Sequence, residues 1–153
     1  MIEKSSKILI VDDSATTRKI ARKYFTDLGY TLLDESVDGT DAFQKIISSE
    51  PRYGLIFTDW HMPNVSGFEL LEKIRGLDDP GLKQTPVILA TAERKSDEVR
   101  KAIVAGVNGY IIKPYSLDLM RKAIENIRIS QRELNPDEEM ERLFNAYSKS
   151  DSS

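Results

Sequence analysis

The sequence predicts an α/β fold: a doubly wound, five-stranded parallel sheet with helices on both faces and an extra C-terminal helix. Three observations predict it. Short apolar runs alternate with longer amphipathic ones along most of the chain. Runs such as Ile8-Leu9-Ile10-Val11 and Val87-Ile88-Leu89-Ala90 are apolar throughout, as strands buried on both faces are. Strand and helix take turns five times, which implies parallel neighbours joined by right-handed helical crossovers.

Ile8 to Val11 forms the first strand and stops at Asp12-Asp13. Ser14 suits the cap of the next helix. On that helix Ile20, Tyr24 and Leu28 fall at i, i+4, i+8, with Ala21 and Phe25 beside them, and Gly29 ends it. Thr31 to Val37 is a weaker second strand. Asp38-Gly39 opens a helix carrying Ala42, Phe43, Ile46 and Ile47. Leu55-Ile56-Phe57 is the third strand, ending near Asp59. The loop from Trp60 to Ser66 leads to a helix with Phe68, Leu71 and Ile74. Pro86 to Thr91 is the fourth strand, and a helix follows from about Ser96 to Ala105. Tyr110-Ile111-Ile112 is the fifth strand, and Ser116 opens the last helix of the sheet domain. There is no internal repeat.

The bulk composition narrows the function. The chain has 153 residues, a net charge of −3 and no cysteine. Disulfides and thiolate metal sites are excluded. A mildly acidic domain has no electrostatic grip on nucleic acid. No run approaches the ~18 apolar residues of a membrane span. The polar start, Met1 to Lys7, lacks the apolar core of a signal peptide. A cytoplasmic protein, neither inserted in a membrane nor bound to nucleic acid, is expected.

In open parallel sheets, ligands sit beyond the carboxyl ends of the strands. Asp12 and Asp13 end the first strand, Asp59 the third, Thr91 the fourth and Lys113 the fifth. Three carboxylates in one crevice repel by about 4 kcal/mol per pair at ~4 Å and an effective dielectric of ~20. Either one is protonated or a cation sits among them. An oxygen-only ligand set favours Mg²⁺. Lys113 adds a positive charge and Thr91 a hydroxyl donor. Together they suit a phosphoryl group beside a carboxylate nucleophile.

The segments Ile8-Leu-Ile-Val-Asp-Asp-Ser14, Asp59-Trp-His-Met-Pro-Asn64, Gly67-Phe-Glu-Leu-Leu71, Thr91-Ala-Glu93 and Ala105-Gly-Val-Asn-Gly-Tyr-Ile-Ile-Lys-Pro114 stand in order, each at a strand end. In them the chain resembles the response-regulator receivers, above all the single-domain chemotaxis members, over about Lys7 to Ile129. The resemblance implies a flavodoxin-like sheet of order 2-1-3-4-5 and a signalling switch rather than a turnover enzyme. Asp59 would accept a phosphoryl group from a histidine kinase. Asp13, Asp59 and the His61 backbone carbonyl would bind Mg²⁺, with Asp12 acting through water. Thr91 and Lys113 would hold phosphoryl oxygens, and the Lys113–Pro114 bond would be cis. Tyr110 would turn inward as Thr91 moves, reshaping the face made by the fourth helix, fifth strand and fifth helix. A downstream protein would read that face, and a phosphatase is a further possible partner.

Each residue also has a plainer reading. Asp12 or Asp13 alone could cap a helix, but a cap explains only one of them. Asp59 could be a turn residue, Thr91 an ordinary strand residue, Lys113 a surface lysine and Tyr110 a core residue. His61 stands where the chemotaxis members carry Asn. It is either an exposed loop residue or a ring at the pocket lip that tunes dephosphorylation and makes it pH-dependent. Glu93 is a second rate-tuning candidate at that lip. Two other functions compete with a partner-binding switch: a relay or phosphate sink, and an aspartyl-phosphate hydrolase. The hydrolase needs a carboxylate two residues after the nucleophile, where this chain has His61.

Residues 1–131 are expected to form the receiver domain and residues 132–153 an extension. Asn135, Pro136 and Asp137-Glu138-Glu139 suit a helix start. Met140, Leu143, Phe144 and Tyr147 then fall on one apolar stripe over about residues 136–147. That helix would dock on its own domain, a second copy or a target; the alternative is a partly disordered tail.

Overall fold

The computed structural model describes residues 2–92, 97–127 and 141. Apart from Glu141, the expected tail helix with its apolar stripe lies outside those residues, as does Glu93. Five strands form one parallel sheet: β1 (Lys7–Val11), β2 (Leu32–Ser36), β3 (Tyr53–Asp59), β4 (Val87–Thr91) and β5 (Gly109–Ile112). Their order is β2-β1-β3-β4-β5, as the resemblance implies. Among the described residues, six helices connect and flank them: α1 (Ala15–Asp27), α2 (Gly39–Ser48), α3 (Gly67–Arg75), α4 (Pro80–Lys83), α5 (Asp97–Val104) and α6 (Leu117–Glu125).

Alternate residues of each strand point to opposite faces, so the apolar runs fill two cores. Leu9, Val11, Ile56, Val87, Leu89 and Ile112 face Ala42, Ile46, Leu70, Leu71, Ile74, Val99 and Ile103 of α2, α3 and α5. Ile8, Ile10, Leu55, Phe57, Ile88 and Ile111 face Ala21 and Phe25 of α1 and Leu119, Met120 and Ile124 of α6.

Two expectations need correction. On α1 the buried row is Ala21 and Phe25, while Ile20 is 44% exposed. Tyr24 and Leu28 of the Ile20 row are half-buried at the margin of that core, so Ile20 alone of the row is turned to solvent. Ile47 of α2 is likewise exposed. The second correction is α4, a short helix the apolar pattern did not indicate. It carries a start signal all the same: Asp79 accepts from Gly81 N and Leu82 N, and Pro80 holds the first helical position. With α4 counted, the expected output face becomes α5, β5 and α6.

At the amino ends of β4 and β5, Arg75 of α3 gives all five of its N–H groups. They go to Gly106 O (twice), Lys83 O, Thr85 O and Asn108 Oδ1, at 2.7–3.1 Å. Asn108 Oδ1 also accepts from Val87 N. Burial pushes the Arg75 guanidinium down to about 10, still protonated at neutral pH. This clamp ties α3 to the segments that enter β4 and β5.

Candidate functional site

Strand register brings the carboxyl ends together. Val11 pairs with Ser36 and Thr58, Asp59 with Ala90, and Thr91 with Ile112. Asp59 and Thr91 from these pairs, with Asp12 and Lys113 one residue beyond them, therefore lie at the same end of the sheet. Asp12 is 5% exposed and Asp59 9%, while Asp13 is exposed. One carboxylate oxygen from each lies within 4.8 Å of the others. Lys113 Nζ sits 2.8 Å from Asp59 Oδ1 and 3.7 Å from Asp12 Oδ2. Thr91 is buried at the adjacent strand end, and its carbonyl accepts from Lys113 N at 2.8 Å. The Lys113–Pro114 bond is cis.

The local chain explains how these groups are aimed. Asp12 Oδ1 accepts from Ser14 N at 2.9 Å, and Ser14 Oγ caps α1 by accepting from Thr17 N. After Asp59 the chain folds straight onto α3. Trp60 N donates to Ala90 O, and Gly67 N donates to Trp60 O. Gly67 permits that approach, since a Cβ there would lie 2.2 Å from the Asp59 carbonyl oxygen. Asn64 takes the left-handed conformation in the turn, with φ of 69°. A capping box between Ser66 and Glu69 starts α3.

Burial pushes the Asp12 carboxyl above its usual value. The Ser14 N–H opposes that, Asp59 adds to it, Lys113 opposes it, and Asp13 adds to it. Burial likewise raises the Tyr115 hydroxyl, with Asp12, Tyr24 and Asp59 adding to the effect. Three acidic groups against one ammonium leave an excess of negative charge in a buried setting. An all-oxygen donor set with that excess fits a hard divalent cation such as Mg²⁺.

The strand-end set expected from the sequence is therefore assembled: Asp12, Asp13, Asp59, Thr91 and Lys113. Tyr110 is 6% exposed, so its ring lies inward, on the same sheet face as Leu89. His61 is exposed, its ring centroid 6.4 Å from that of Trp60. Sequence reasoning missed three contributors. Trp60 is buried, not a loose loop residue, and stacks on Phe68 with ring centroids 5.7 Å apart. Gly67 had a signal in its position within a matched segment. Arg18, which donates to the Asp12 carbonyl, had none.

Residues 8–125 match the family described as the response regulator receiver domain. The chain belongs to that family. Over 121 residues it is 42% identical to the chemotaxis protein CheY of Pseudomonas aeruginosa, covering 79% of this chain and 94% of the relative. Over 127 residues it is 38% identical to CheY-3 of Vibrio cholerae, covering 83% and 95%. The structure of CheY4 from Vibrio cholerae superposes with a TM-score of 0.72 at 27% identity, covering 81% and 99%. A CheX–CheY–BeF₃–Mg²⁺ complex from Borrelia burgdorferi gives 0.71 at 28% identity, covering 78% and 86%. The curated relatives are thus chemotaxis proteins, and the family they share with this chain is one of signalling receiver domains. Among the described residues, no helix of the receiver is long and apolar enough to cross a membrane.

Proposed function

We propose that this receiver is a phosphorylation-activated cytoplasmic switch whose phosphoacceptor is Asp59. The observation that carries the reading is the pairing of Asp59 Oδ1 with Lys113 Nζ at 2.8 Å, beside the carboxylates of Asp12 and Asp13. The Asp59 carboxylate attacks the phosphorus of a phosphohistidine on a kinase, and the P–N bond breaks as the imidazole leaves. Lys113 and the Thr91 hydroxyl hold phosphoryl oxygens. Asp12, Asp13, Asp59 and the His61 backbone carbonyl would hold Mg²⁺, which supplies charge neutralisation for the incoming group. The Borrelia relative's complex with BeF₃ and Mg²⁺ supports this assignment.

Thr91 and Tyr110 share a sheet face, so a shift at Thr91 bears on the packing of Tyr110 and on the face of α5, β5 and α6. A downstream protein binds that face in the phosphorylated state. In this reading residues 1–131 constitute the receiver and residues 132–153 an extension of it. Trp60, the only tryptophan, adjoins Asp59 and reports on the site. Its fluorescence responds first to Mg²⁺ and again to acetyl phosphate, and the second response is absent in Asp59→Asn. A second response that survives in Asp59→Asn would defeat the assignment.

A further inference from the structure

We propose that Arg18 is a positioning residue for the acidic site, aimed at that task by Glu35. The inference deepens the reading above and rests on it. Arg18 lies on the first turn of α1, and its side chain is only 15% exposed. Its Nη1 donates to the Asp12 backbone oxygen at 2.7 Å, while its Nε donates to Glu35 Oε1 at 3.0 Å. Two bonds from one planar guanidinium fix its orientation as well as its position.

The Asp12 backbone is held from both sides. Its N–H donates to Ser36 O at 3.1 Å, and its carbonyl accepts from Arg18. The Asp12 carbonyl shares a rigid peptide plane with the Asp13 N–H. Arg18 therefore sets the plane from which the Asp13 side chain departs. Glu35 is itself anchored: Arg22 Nε donates to its Oε2 at 2.9 Å, and Arg22 Nη2 donates to Leu33 O. Glu35 thus ties the arginine to the edge strand β2, and through it the acidic loop is braced against the sheet.

Three roles for Arg18 make opposite predictions. As a nearby positive charge it would weaken cation binding, so its removal would tighten Mg²⁺ binding. As a tie between α1 and β2 it would affect stability alone. As a positioning residue it strengthens Mg²⁺ binding, and only a fork that reaches both acceptors does so. Groups that orient a metal ligand from behind typically change metal affinity by about 10–100-fold.

The test is calorimetric titration of the full chain with Mg²⁺, alongside urea unfolding, for wild type, Arg18→Ala, Arg18→Lys and Glu35→Gln. The expected result is roughly ten-fold weaker Mg²⁺ binding in both Arg18 variants and a smaller loss in Glu35→Gln. Tighter or unchanged binding in Arg18→Ala overturns the inference. So does wild-type affinity in Arg18→Lys, which would show that a fork reaching both acceptors is not needed. Should Arg18→Ala not fold, Glu35→Gln and Arg18→Lys carry the same decision. Asp13→Asn separates the two levels: a wild type with no Mg²⁺ binding that Asp13→Asn abolishes removes the site reading, and this inference with it.

Discussion

At the carboxyl ends of the strands, Asp12, Asp13 and Asp59 crowd three acidic groups around the Lys113 ammonium. At the amino ends, the Arg75 guanidinium makes five hydrogen bonds to four carbonyl-type acceptors. Both regions bring charge into a partly buried setting, yet they are finished differently. The Arg75 end is saturated with hydrogen bonds and has no donor left over. The acidic end keeps like charges together, at a cost that a cation or a proton relieves. A charged group that serves the fold is satisfied within the chain, whereas a site that takes a ligand is left incomplete by the chain alone.

The largest effect that tests this contrast is Arg75→Ala. It strips partners from three backbone carbonyls and from Asn108, and should lower stability by about 3 kcal/mol in urea unfolding. Mg²⁺ affinity should stay within two-fold of wild type. A larger change in affinity would mean that the two ends are coupled and the contrast is wrong. Gly67→Ala comes next. Its Cβ would meet the Asp59 carbonyl oxygen at 2.2 Å, so β3 and α3 must part. A loss of roughly 2 kcal/mol is expected, together with a weaker Mg²⁺ response, because the backbone of Asp59 moves with it.

Asp12→Asn should have the opposite sign. In metal-free protein it relieves repulsion and burial of charge, and should stabilise by roughly 1 kcal/mol while weakening Mg²⁺ binding. The folded-state carboxyl of Asp12 titrates above 3.8, chiefly because of burial. The native state then holds this proton to higher pH than the unfolded chain does. The contribution of Asp12 to stability therefore falls as pH rises from 3.8 through its raised value, and stays low beyond it. Glu35, Asp41 and Asp79 are shifted down and act in the other direction. For Glu35, burial pushes upward, but hydrogen bonds from Arg22 and Arg18 outweigh it. The informative quantity is thus the difference between Asp12→Asn and wild type in chelator, which should widen as pH rises through that window. A gap that narrows would show that Asp12 is well satisfied within the chain.

The smallest structural effect belongs to His61→Asn. His61 is exposed, so unfolding should shift by less than about 0.5 kcal/mol. Decay of the phosphorylated protein, followed by Trp60 fluorescence, should change several-fold. Unchanged decay would return His61 to the role of an ordinary loop residue.

Most of the carboxyl-end site was legible before any coordinates. Its members are chemically distinctive, and the strand-end rule puts Asp12, Asp59, Thr91 and Lys113 on one edge once the strands are parallel. The Arg75 clamp was not legible. Its acceptors are backbone carbonyls of Lys83, Thr85 and Gly106, which any sequence offers everywhere. The same reason hid Arg18, whose acceptor is the Asp12 carbonyl. The helix faces were legible only approximately: Ile20, Tyr24 and Leu28 satisfy a helical period as well as Ala21 and Phe25 do.

By itself, the sequence determined the layers of the sheet, the strand ends and the acidic, hydroxyl and lysine groups of the site. Those depend on local periodicity and on residue type. Tertiary structure alone decided which face of α1 is buried, that Gly67 must lie against Asp59, and where the guanidiniums of Arg18 and Arg75 find their acceptors. These are matters of distance between segments far apart in the chain. Hydrogen bonds to the backbone are selected by that geometry and carry no mark in the residue types that accept them.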